Sequence, residues 1–162
     1  MFRQTFISRS RFTFVAFLLA FVCVSTVGCG PNPAQQRAAV EKAQAQLRDY
    51  AARLGEQTSE QKLGLANGDA NDPKKIFGQM GKNYAEFRDN IRSIETRACP
   101  ADYKTGLKKV ETSVDAVCAY LSKLESGEVE DSEGKAELVN LLLEFAESVS
   151  ELDEIAAKYG EE

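Results

Sequence analysis

The chain has 162 residues, with 43% hydrophobic and 28% charged residues and neither histidine nor tryptophan, a composition suited to one globular helical domain. Its net charge of −5 hides an asymmetry: the first 28 residues hold Arg3, Arg9 and Arg11 and no acid, so the remainder carries net −8. An acidic remainder argues against nucleic acid as a partner and offers no polybasic patch for anionic lipid.

The first element in chain order is a targeting segment. A short positive stretch, MFRQTFISRSR, precedes the uncharged run FTFVAFLLAFVCVSTV, Phe12–Val27, and small residues with Cys29 follow it. The 16-residue run is shorter than the roughly 20 apolar residues that span a bilayer. Residues 1–28 therefore read as a cleaved secretory signal, with an uncleaved anchor as the alternative.

Thr26-Val27-Gly28-Cys29 resembles the lipobox of bacterial lipoproteins. That motif usually runs Leu, Val or Ile, then a small residue, then Gly or Ala, then Cys. Gly28 and Cys29 match it, while Thr26 stands where the motif has a leucine, valine or isoleucine. The resemblance covers only the first 30 residues. It implies a diacylglyceryl group on the Cys29 sulfur and a further acyl chain on its amine, so that the membrane is a partner through lipid on Cys29. It further implies export and a periplasm-facing position. Gly30, a residue other than aspartate after the cysteine, fits delivery to the outer membrane. Residues 29–33, with Pro31 and Pro33, form a stiff tether.

Four apolar-periodic segments follow, and spacing is the main signal for each. In the first, Val40, Ala43, Leu47, Tyr50 and Leu54 step by three and four, which predicts a helix over about 34–54 with Gly55 as its stop. The stretch EQTSEQKLGLANGDAN then reads as a long connection with one helical turn near Ser59–Leu63. Long structureless loops are uncommon, so the alternative is a first helix that runs on past Gly55.

In the second segment Asp72 caps, Pro73 opens, and Phe77, Met80, Tyr84, Phe87, Ile91, Ile94 and Ala98 keep one heptad seam over 73–98 until Pro100. In the third, over 101–126, the seam is Tyr103, Leu107, Val110, Val114, Val117, Leu121 and Leu124, closed by Gly127. In the fourth, over 132–159, it is Leu138, Leu142, Phe145, Val149, Leu152, Ala156 and Tyr159. Val139, Leu141, Leu143, Ala146 and Ile155 widen that last stripe, which predicts the most buried helix of the four.

No alternation of strand type competes. Short connections at 99–101 and 127–131 force antiparallel neighbours, so the fold class is all-α, an up-down-up-down four-helix bundle over 34–162. In shape alone this is similar to the cytochrome b562 and cytochrome c′ bundles. Their cofactor is not expected here, because haem needs an axial histidine and the chain has none.

The same absence excludes the Glu-x-x-His di-iron constellation and a histidine base for a serine nucleophile. The cysteines lack zinc spacing, and the acidic stretches Glu125–Gly134 and Asn67–Pro73 lack the order of a calcium loop. Surface carboxylates such as Glu151 and Glu154 read as a solvated face. No metal, cofactor or catalytic residue is therefore expected.

With Cys23 inside the signal, Cys29, Cys99 and Cys118 remain. A Cys99–Cys118 bridge would have to close a 19-residue separation, more than about 25 Å along a helix. Cys118 flanks its seam as a half-buried thiol. Cys99 is the geometrically sensible partner for Cys29 if Cys29 carries no lipid.

The residues thus point to a non-enzymatic exported envelope lipoprotein whose bundle is an interaction or structural module for a protein partner. The alternative is a periplasmic small-ligand or metal-binding bundle, with Phe77, Tyr84, Phe87, Tyr103, Phe145 and Tyr159 lining an apolar pocket.

Overall fold

The computed structural model describes residues 30–66, 73–129 and 131–160, with the side chains of 60–66 and 131–135 left aside. The signal segment, Cys29, residues 67–72 with the expected cap Asp72, and Glu130 lie outside the described residues. Residues 33–162 form one compact unit. Four helices build it: α1, Pro33–Ala66; α2, Pro73–Ser93; α3, Ala101–Ser126; and α4, Asp131–Gly160. There is no strand among the described residues.

Helices adjacent in sequence pack on one another, and α1 closes the ring against α4. The result is the antiparallel up-down-up-down bundle. α1 and α3 begin at one end, where α2 and α4 finish. No described helix is long and apolar enough to cross a membrane.

α3 is the innermost rod. All seven of its seam residues are buried, and Val110, Val114, Val117 and Leu121 are wholly so. Gly127 ends it in a left-handed conformation, φ 77°. The Gly127 and Glu128 N–H groups donate to the Leu124 and Lys123 carbonyls at 3.3 and 3.0 Å, a Schellman closure that favours glycine. The seam of α2 buries Tyr84, Phe87 and Ile91 against α3.

Three sequence expectations are corrected. Gly55 does not stop α1, which continues to Ala66. Gly55 has ordinary helical backbone, since Gly127 is the described glycine with positive φ. The Thr58 hydroxyl donates to the Leu54 carbonyl at 2.7 Å, and Ser59 donates to the Gly55 carbonyl at 2.7 Å. The helix-forming residues around one glycine outweigh its cost of about 1 kcal/mol.

Next, α2 ends at Ser93 rather than at Ala98. The Ser93 hydroxyl turns back to the Asn90 carbonyl at 2.6 Å, Glu95 accepts from the Arg97 N–H at 3.1 Å, and a Thr96–Cys99 turn closes at 2.9 Å. These local bonds compete with the helical ladder just before Pro100, which cannot continue it. The turn still buries Ile94 and Cys99.

Finally, α3 and not α4 is the most buried helix. Val139 and Leu143 on α4 are 54% and 57% exposed. By helical phase both lie on the side of α4 turned away from its buried Leu138, Ser148 and Leu152, so the stripe extends beyond the face the bundle covers.

A continuous α1 has a direct consequence. An added Cβ at Gly55 meets nothing within 4 Å. Gly55→Ala should therefore stabilise the protein by about 0.5–1 kcal/mol in chemical denaturation, through helix propensity alone. Destabilisation by that variant would mean that Gly55 ends the helix.

Candidate functional site

One set of polar contacts between helices lies toward the end where α1 and α3 begin. Pro100 leads into α3 with an extended backbone, and Asp102 sits in the first turn, where a negative charge suits the helix dipole. Its carboxylate accepts the Tyr103 N–H at 2.8 Å. It also accepts the Tyr159 hydroxyl, from the last turns of α4, at 2.8 and 2.9 Å to its two oxygens.

Tyr103 is wholly buried on the α3 seam. A buried phenol needs a partner. Tyr103 Oη donates to Gln44 Oε1 on α1 at 2.9 Å. The Gln44 amide donates in turn to Asp153 Oδ1 on α4, and Arg48 Nη2 donates to the same oxygen at 3.1 Å. One chain of bonds thus joins α3, α1 and α4.

Burial pushes the Tyr103 hydroxyl well above the usual tyrosine range, and the nearby Asp153 carboxylate adds to the rise. The bond to Asp102 also raises Tyr159. Both phenols are protonated donors at neutral pH. Outside this chain an open groove of about 540 Å³ runs between α1 and α4, lined by Arg37, Glu41, Gln44, Arg48, Asp153 and Tyr159 among others. Its charges are mixed.

The six aromatic residues do not converge on one pocket. Phe145 stands edge-on to Tyr84 and Phe87, with centroids 6.0 and 5.7 Å apart, and so joins α4 to α2 across the core. Phe77 lies near the start of α2, partly buried against the core. Tyr103 and Tyr159 belong to the opposite end. The sequence reading singled out neither Gln44 nor Asp153, Asp102 or Arg48. A tyrosine on a buried seam was the available signal, since its hydroxyl must find a bond.

A second charged cluster staples α2 to α3. Arg92 Nε donates to Glu111 Oε1 at 2.6 Å and Arg92 Nη2 to Asp115 Oδ2 at 3.1 Å, while Lys108 bonds Glu111 Oε2 at 2.6 Å. The bonds from Lys108 and Arg92 hold the Glu111 carboxyl below its ordinary value.

Cys99 is buried and Cys118 half-buried, and both are free thiols. Burial pushes each of them up, away from the reactive thiolate. Among the described residues no group of three or more cysteine, aspartate or glutamate side chains could hold a metal ion. No family model, no curated protein and no solved structure matches this chain.

Tyr103→Phe should cost about 1–2 kcal/mol, because it removes the donor from a buried Gln44 oxygen. Unchanged stability in denaturant titration would show that the bond is not made. Glu111→Gln should cost at most about 1 kcal/mol at pH 7, the scale of a surface ion pair. Because the folded carboxyl is depressed, that contribution is present above the unfolded glutamate value and fades as pH falls through the lower, folded one. The stability gap between wild type and Glu111→Gln should therefore close in acid. A gap independent of pH would contradict the charge-assisted contact.

Proposed function

We propose that the chain is a non-enzymatic lipoprotein of the cell envelope, exported and held to a membrane by lipid on Cys29, with the helical bundle as an interaction or structural module. The observation that carries this reading is Gly28-Cys29 placed directly after an uncharged run of 16 residues. Pro33 opens the helix four residues after Cys29. Four residues reach at most about 14 Å. Lipid on Cys29 would then keep the end of the bundle where α1 and α3 begin close to the headgroups.

The groove between α1 and α4 supports a second reading, a periplasmic small-ligand module. Its lining of Arg37, Glu41, Arg48 and Asp153 suits a polar or zwitterionic molecule. An apolar aromatic pocket has no such support, since Tyr84, Phe87 and Phe145 pack on one another at mid-bundle while Phe77 and the pair Tyr103 and Tyr159 lie toward opposite ends.

The mass of the mature protein tests the first reading. The expected mass is residues 29–162 plus a diacylglyceryl group and one amide-linked acyl chain. Cys29→Ser should lack that addition and leave the membrane fraction. An unacylated mature protein beginning elsewhere would refute the anchor.

A further inference from the structure

Val139 and Leu143 are the large hydrophobic side chains exposed among the described residues. They do not stand alone. Ala136, Val139, Leu143 and Ala146 step by three, four and three along α4, and all four are exposed. That spacing puts them on one face. The strip is one side chain wide and about 15 Å long, the shape of a helix-to-helix seam.

The surroundings of the strip are asymmetric. Asp153 bonds Gln44 and Arg48, which marks the α1 side of α4, and the half-buried Leu142 lies toward that side by helical phase. Glu151 bonds Lys109 at 2.5 Å and marks the α3 side. On that side Glu137, Glu144 and Glu147 form an exposed row along the strip. Among the described residues no cation pairs with these three.

We infer that this strip on α4 docks an amphipathic helix of a partner protein whose apolar seam is flanked by lysine or arginine. The apolar strip needs an apolar seam, and the glutamate row needs cations beside it. A second copy of this chain is the wrong occupant. It would bring a second glutamate row beside the first, between bodies that each carry net −8 after residue 28. The inference rests on the reading of the bundle as an interaction module. Leu143 stands 17 residues of helix back from Gly160, about 26 Å from the end of the bundle where α1 begins.

The test uses the acylated full chain in zwitterionic nanodiscs and two designed 21-residue helices. Both carry the same leucine seam. One has lysine flanks and the other glutamate flanks, and binding is read by fluorescence anisotropy. The lysine-flanked helix should bind, more weakly as salt rises, and at least about tenfold more tightly than its counterpart.

Val139→Ser with Leu143→Ser keeps the charge and removes the apolar contact. It should weaken binding at least about tenfold. Glu144→Lys with Glu147→Lys should do the same by reversing the row. The inference is overturned if the two peptides bind alike, if neither binds, or if the serine pair changes nothing. A dimer of the peptide-free chain that the serine pair abolishes would also overturn it, because the strip would then belong to a second copy. The Cys29→Ser chain should bind the lysine-flanked helix as well as the acylated chain does. Loss of the anchor and loss of the docking surface therefore give separate results.

Discussion

The bundle depends on one row of side chains. Val110, Val114, Val117 and Leu121 of α3 have no exposed surface. Every other helix takes its place by covering that row or closing the ring beside it. Wholly burying each such side chain contributes about 1.5–3 kcal/mol, so the row is the largest contiguous driving force among the seams. α2 and α4 flank it directly and meet across it through the edge-on rings of Phe145, Tyr84 and Phe87.

α1 is a different kind of wall. Its buried residues are Val40, Ala43, Gln44, Leu47 and Leu54, with no aromatic ring among them, whereas α3 buries its whole seam from Tyr103 to Leu124. Its contacts with α2 and α4 are less extensive than those that α3 makes. Gln44 compensates by joining the Tyr103 hydroxyl to Asp153, with Arg48 beside it. A bond of this kind orients as well as holds, because a shifted α1 would leave the buried phenol without its acceptor. The exposed strip on α4 has another origin: by helical phase Val139 and Leu143 lie on the side of α4 turned away from its buried Leu138, Ser148 and Leu152.

The fold class was legible because six steps of alternating four and three residues ran unbroken through Tyr103–Leu124 and again through Leu138–Tyr159. What was less legible was local competition. Whether Gly55 ends a helix depends on what surrounds it, and Thr58 and Ser59 act only through hydroxyl bonds to the preceding turn. Ile94 and Ala98 continue the seam arithmetically, yet Ser93, Glu95 and Thr96 turn the chain first. Burial of α4 was misjudged because apolar residues were counted without regard to the side of the helix on which each falls, and Val139 and Leu143 fall away from the core. The site was least legible. Gln44 sits one residue past the seam position Ala43, and nothing in its own neighbourhood announces that a tyrosine 59 residues away needs its oxygen. The lipobox resemblance concerns residues outside the described structure, so the anchor stands on sequence chemistry alone.

The central claim is that α1 is a polar-clasped fourth helix on a body nucleated by α3. Native-state hydrogen exchange of the full chain tests it most directly. Amides of residues 110–121 should exchange slowest, through global unfolding. Amides of α1 should exchange at least about tenfold faster through local opening, and Tyr103→Phe should speed α1 more than α3. Equal protection of α1 and α3, with Tyr103→Phe shifting both alike, would contradict it.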